Sequence, residues 1–278
     1  MQSPLKTLDS LDQTNAYQLS NYADNPKTRT CLDILGSQQG IHIQERFEPI
    51  SFGFPTPNVF RVYSADHLGD QIEMQQLFKC KEKSTDCDRC CLGPKIRPFE
   101  MFVDNFGCSD YQFNKNQQFQ SSDQTIFKFK REYQCTCCCC NRPRLEVYYV
   151  ENGQNKQLGY IIDPIYCCQI GCNIFDSDNQ LRYMIEASTC QSYFWCRCPC
   201  SIECNQINFD IKLPTGEVVA SMLKQVKTCC NTDSFSICDN ISVMFPQKAT
   251  KEDKALILAA AIMIEFMYFE KPRSRSTQ

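Results

Sequence analysis

One run of fifteen residues, ALILAAAIMIEFMYF from Ala255 to Phe269, constrains this chain more than any other feature. It is apolar throughout except at Glu265. Alanine, leucine and methionine favour a helix, and the lack of a polar stripe means that such a helix must be covered on every side. Two surroundings can cover it. A spanning helix needs about 20 apolar residues, and this run is shorter and carries an interior carboxylate, which at the bilayer centre costs about 2.5–3.5 kcal/mol. Inside a closed β-barrel every face would instead meet protein. Lys248, Lys251 and Lys254 precede the run, and Lys271, Arg273 and Arg275 follow it. Spanning helices usually show a one-sided Lys/Arg excess, so basic flanks on both sides favour the enclosed reading. Under either reading Leu256, Ile257, Leu258, Ile262, Ile264, Phe266 and Phe269 form the apolar body, in a bilayer or in a barrel core.

The rest of the chain points to strands. Phe60 to Tyr63, Phe99 to Val103 and Ile126 to Phe129 are short, alternating and rich in aromatic or β-branched residues. Leu145 to Tyr148 leads to a turn at Glu151-Asn152-Gly153. Ile207 to Leu213 is the cleanest period-two stretch, and Pro214-Thr215-Gly216 closes it. Short alternating strands punctuated by Gly, Pro and Asn predict a sandwich or barrel. Residues 1–30 are polar and read as a flexible tail. The globular domain is expected over 31–271, with the helix inside that range and a short basic tail over 272–278.

Composition matters at two points. The net charge of −3 gives no basic excess, so no nucleic-acid partner is expected. The 22 cysteines are the outlier, and most fall in clusters. The N-terminal stretch has no apolar signal core, which places the thiols in a reducing compartment and argues against a disulfide scaffold. Acylation and metal binding remain as uses. For Cys135, Cys137, Cys138, Cys139 and Cys140, the residue types allow acyl attachment, packing as small hydrophobes, or metal ligation. Pairs such as Cys87/Cys90 and Cys137/Cys140 have zinc-knuckle spacing. They lack ribbon spacing between pairs and lie far from His42 and His67, so zinc is not expected. Two histidines and ten glycines leave no hydrolytic pairing and no phosphate loop, so covalent catalysis is not expected either. Asp176-Ser177-Asp178-Asn179 starts like a calcium loop but has Leu181 where glycine is needed, and it reads as a hairpin turn.

Several motifs in register carry a resemblance. Asn240 to Pro246, then Lys254-Ala255-Leu256 and Ile262 to Glu270, are similar to the end of the phospholipid scramblase family. Thr85 to Pro94 with Arg97-Pro98-Phe99 resembles its Cys-Cys-Gly-Pro and Arg-Pro-Phe element. The 135–140 cysteine run, Gly159-Tyr160-Ile161-Ile162, the Cys196 to Cys204 cluster and Phe209 to Lys212 follow in matching order.

The resemblance implies a tubby-like fold: a mainly β, closed antiparallel barrel of about 12 strands around a C-terminal hydrophobic helix. It implies ATP-independent, bidirectional movement of phospholipids, with the phospholipid bilayer as partner and no protein partner named. It also implies palmitoyl groups on the 135–140 cysteines and a membrane-associated location on the cytosolic face, expected at the plasma membrane. Calcium is the implied trigger, through an EF-hand-like loop just before the helix. The equivalent residues here are Ile237 to Lys248, and they keep only Asp239 and Asn240 as candidate ligands, with Ile237 and Lys248 at the first and last positions. A cation that takes six to eight oxygens is poorly served by that set. The family's nuclear-import segment corresponds to Ser221 to Lys227 and keeps two lysines.

Overall fold

The computed structural model describes residues 31–46, 56–69, 75–105, 125–134, 141–151, 153–165, 168–195, 203–226 and 240–270. Within them lie strands β1 (Gly40–Arg46), β2 (Val59–Ala65), β3 (Gln76–Lys83), β4 (Phe99–Asn105), β5 (Thr125–Arg131) and β6 (Arg144–Glu151). Then come β7 (Gln154–Ile162), β8 (Gln169–Asp176), β9 (Leu181–Ser188), β10 (Gln206–Lys212), β11 (Val218–Gln225) and β12 (Asn240–Met244). Each strand pairs antiparallel with the next, and β12 returns to β1 with Gly40 opposite Met244, so the sheet closes on itself. Closure removes every open edge.

Period-two patterning sets the inside of this barrel. Phe99, Met101 and Val103 on β4, Phe127 and Phe129 on β5, and Ile207, Phe209 and Ile211 on β10 point inward and are almost wholly buried. Strands β1, β3, β7, β8, β9, β11 and β12 do not stand out in the sequence as alternating runs, and several of them mix polar residues into the pattern. Gly159 marks a close approach: a Cβ there would lie 2.1 Å from the Phe175 carbonyl oxygen on β8. No other residue allows that spacing.

An eight-strand barrel is just filled by its own side chains, whereas sixteen strands leave a channel. Twelve strands leave room for one helix, about 10–12 Å across with its side chains. The C-terminal helix occupies that space. It runs as α4 (Lys251–Ile264) and ends in a π-helical turn over Glu265–Phe269; the shorter helices are α1 (Cys31–Ser37), α2 (Asp86–Cys91) and α3 (Ser192–Trp195). The helix starts four residues before the apolar run, because Thr250 caps it. Its hydroxyl accepts from the Asp253 amide at 3.1 Å, while the Asp253 carboxylate accepts from the Thr250 amide at 3.0 Å. Leu256, Ile257, Leu258, Ile262, Ile264, Phe266 and Phe269 are all buried. Phe266 stacks on Phe99 of β4 at 4.4 Å and tilts against Phe60 of β2, and Phe269 meets Phe209 of β10 edge-on. No helix among the described residues is long and apolar enough to cross a membrane.

The helix gives the barrel two unlike ends. At its N-terminus, α1 caps the barrel: Leu32 and Leu35 enter the core, and Lys254 donates to the carbonyls of Gly36 and Gln38 at 2.5 and 2.6 Å. This is the capped end. At the helix C-terminus lie the six segments that join each odd-numbered strand to the next even one. This is the connection end.

Candidate functional site

The connection end gathers most of the unusual chemistry. Among the described residues, Cys87, Cys90, Cys91, Cys168, Cys190 and the buried Cys204 lie in these segments. Cys135 and Cys137 to Cys140 belong to the β5–β6 segment but lie outside the described residues. Those that are described divide by environment. Cys80 and Cys172 are buried inside strands, and burial pushes both thiols far up, so they stay neutral and inert. Cys87, Cys90, Cys91, Cys168 and Cys190 are exposed at the connection end. Cys87 and Cys91, one turn apart on α2, have their sulfurs 3.8 Å apart. Among the described residues no three His, Cys, Asp or Glu side chains come together as a zinc or calcium cage requires.

Beneath the rim is a buried charge network. The Phe127, Phe129, Arg131 alternation places a guanidinium inside the barrel. Arg131 donates to the Arg97 carbonyl at 3.0 Å and to the Pro94 carbonyl, and lies 4.5 Å from the Phe99 ring centroid. Arg97 pairs with Glu82 at 3.0 Å and with Glu270 at 2.8 Å. Burial raises the Glu270 carboxyl above its ordinary value, against the pull of Arg97. On the facing side the Tyr268 hydroxyl donates to Asp163 at 2.5 Å, and Arg142 also binds Asp163. Burial raises Asp163 as well, against Tyr268 and Arg142. Glu265, the lone charge of the apolar run, finds Lys224 of β11 at 2.5 Å, with both side chains almost fully buried.

The structure adds detail at two segments from which the sequence expected little. Residues 240–244 of the EF-hand-like segment form β12, extended and paired with both β1 and β11. Asn240 is buried in that strand, its side-chain oxygen without a hydrogen-bond partner, and Asp239 lies outside the described residues. The import-like lysine Lys224 is only 1% exposed and is held by Glu265, so no receptor can reach it. Asp176 to Asn179 form the β8–β9 hairpin turn: Asp176 accepts from the Asp178 and Gln180 amides, both at 2.9 Å, and Asn179 has φ 61°.

Sequence reasoning missed the anchoring pair Arg97 and Arg131, although the Arg97-Pro98-Phe99 motif was visible. Arg131 could have been found by extending the β5 alternation by one step. Against the rim, Lys83, Pro98, Phe99, Arg131 and Tyr133 line a groove of about 420 Å³.

Comparison with known proteins identifies the family. A family model described as Scramblase matches residues 19–271. Phospholipid scramblase 1 of Homo sapiens is 24% identical over 236 residues, covering 84% of this chain and 64% of that protein. Phospholipid scramblase 2 of Bos taurus is 25% identical over 236 residues, covering 84% and 68%. Phospholipid scramblase 4 of Mus musculus is 26% identical over 251 residues, covering 88% and 66%. The chain thus spans about two thirds of the length of the relatives it matches. No solved structure matches.

Proposed function

The chain belongs to the Scramblase family, and from that premise we propose that it moves phospholipids between membrane leaflets in both directions without ATP. The observation that carries the reading is the family match along the whole barrel and its core helix, 19–271. No covalent step is assigned: the bilayer is the substrate. Because the helix fills the barrel, the proposed route does not pass through the lumen. Headgroups move along the outer protein–lipid boundary. The protein is held at the cytosolic face of the plasma membrane by palmitoyl groups on Cys135, Cys137, Cys138, Cys139 and Cys140. One acyl chain binds only marginally and several anchor stably, so a run of five thiols suits this role.

A second reading is favoured by one observation, the complete enclosure of residues 255–264. A barrel with its apolar helix inside is also a tethered lipid-binding or regulatory module without transport.

Reconstitution decides between the two. Full-length acylated protein is placed in liposomes carrying a fluorescent lipid in both leaflets, and an impermeant quencher is added. Scrambling takes the signal well below the plateau reached in empty liposomes. A plateau equal to that of empty liposomes, with protein present in the membrane, leaves the tethered-module reading. Anchoring is tested separately. Replacing the five cysteines with serine should move the protein from the membrane to the soluble fraction of cells. Unchanged fractionation removes the acylation reading.

A further inference from the structure

Four large apolar side chains stand exposed among the described residues, and three of them share the connection end: Tyr133 at 53%, Ile165 at 57% and Trp195 at 78% exposure. They sit in the β5–β6, β7–β8 and β9–β10 segments, which follow one another around the rim. Each lies two residues beyond a side chain fixed to the end of the core helix. Arg131 contacts the Met267 sulfur at 3.5 Å, Asp163 takes the Tyr268 hydroxyl, and the Tyr193 ring meets Phe269 edge-on at 6.3 Å. The three tips are therefore mounted on a rigid base. Neighbouring segments are also tied together: Thr189 donates to the Cys168 carbonyl at 3.1 and 3.0 Å through its amide and hydroxyl, and the Trp195 indole donates to the Thr189 carbonyl at 2.8 Å.

Three large apolar side chains exposed on consecutive connections of one end, each close to an anchored residue, suit an interaction surface. The type of residue and their surroundings select the partner. Tryptophan and tyrosine pair an apolar ring with a polar handle, which suits the headgroup level of a bilayer. The exposed cation Lys95 lies beside them, its amine 5.9 Å from the Tyr268 ring centroid, and Arg142 sits on Asp163. The exposed thiols Cys87, Cys90, Cys91, Cys168 and Cys190 stand on the same rim. Separate tips spread along an arc match a flat, deformable surface better than a single protein groove. At the capped end the β6–β7 and β8–β9 turns expose Glu151, Gln154, Lys156, Asp178 and Gln180 instead.

We propose that the barrel stands on a phospholipid bilayer with its connection end down, and that Tyr133, Ile165 and Trp195 enter the headgroup region as a three-point foot. This deepens the membrane reading above and rests on it, but it concerns orientation and direct contact, not acylation or transport.

Trp195 is the single tryptophan of the chain and reports on its own position. Full-length protein made without acylation is mixed with vesicles of phosphatidylcholine and phosphatidylserine. The expected result is a blue shift of Trp195 emission and quenching by lipids brominated near the headgroup. Combined Tyr133→Ser and Ile165→Ser should lower vesicle partitioning about tenfold, given two exposed apolar groups lost from the contact. Val218→Ser at the capped end should leave partitioning unchanged. These side chains are exposed, so circular dichroism should show the fold intact in every variant. Trp195 emission that keeps its vesicle-free wavelength overturns the proposal, whether or not the protein sediments with lipid. A blue shift that follows protein concentration in the absence of vesicles also overturns it, and marks a contact between copies of the chain. Neither result bears on the cysteine fractionation test, so failure here and failure of the anchoring reading stay distinguishable.

Discussion

The two ends of the barrel are built from the same strands and the same helix, yet they solve opposite problems. The capped end is finished by tight turns and a helical lid. Asn179 and Gly216 take left-handed backbone at φ 61° and 88°, and α1 covers the core. One of its ion pairs, Arg182 with Asp253 at 3.1 Å, is partly open to water, since the arginine side chain is 39% exposed. The connection end buries a charge network under the rim and carries three exposed apolar tips, with exposed Lys95 beside them. An end made only for stability puts polar groups outside and apolar groups inside. The exposed tips of the connection end depart from that pattern, as the proposed membrane contact requires.

Both ends depend on one shaft. Deleting residues from Ala255 onward should leave an unfolded or aggregated product, because burial of each leucine or isoleucine contributes about 1.5–3 kcal/mol against a typical stability of about 5–15 kcal/mol. Size-exclusion chromatography and circular dichroism check this. A monomeric remainder with native-like β signal would break the comparison at its root.

The next largest effect separates the ends. Lys224→Met strands Glu265 inside the barrel and should cost about 3–5 kcal/mol in urea unfolding. Adding Glu265→Leu should recover most of the loss. Arg182→Met at the capped end removes a partner that water already screens, and should cost about 1 kcal/mol or less. Equal losses from Lys224→Met and Arg182→Met would show that the ends do not differ in this way.

A smaller effect concerns pH. Folding raises the Glu270 carboxyl above its ordinary value of 4.5, chiefly through burial. The folded state therefore binds this proton more tightly than the unfolded one. Its contribution is fully present below the unfolded pKa and is lost as pH rises through the folded pKa. Glu270→Gln should remove that dependence. Relative to the variant, the native chain should gain stability as the pH falls from 7.5 toward 5, read from denaturation midpoints at both pH values. A constant difference would contradict the raised carboxyl.

The smallest expected effect is none. Calorimetric titration of the full chain with calcium should show no site tighter than about millimolar at Ile237 to Lys248, the weak end of known loops. A micromolar site lost in Asp239→Ala would reverse that reading and give the connection end a metal trigger.

Much of the shaft and wall was legible beforehand. Alternation along β2, β4, β5, β6 and β10 is a local property of the pleat, and Phe127, Phe129 and Ile207 announced their side without help from the rest of the chain. The EF-hand-like segment read as a poor cation loop from its ligand set, but a loop pattern says nothing about strand pairing. Asn240 to Met244 become a strand only because β1 and β11 stand on either side with free ladder positions. Trp195, Ile165 and Tyr133 carried no signal in sequence, since a lone apolar residue in a polar segment is ordinary.

The sequence by itself determined that the chain would make short strands and one helix needing cover on every side, because periodicity and hydropathy act between near neighbours. Only the tertiary structure decided that strands supply the cover. Contacts such as Lys224 with Glu265, Arg131 with Met267 and Phe60 with Phe266 join positions 41 to 206 residues apart, and closure of the sheet brings them together. Closure also decided that segments scattered from Ser84 to Asn205 meet at one end. An up-and-down antiparallel barrel returns every second connection to the same rim, whatever their spacing along the chain.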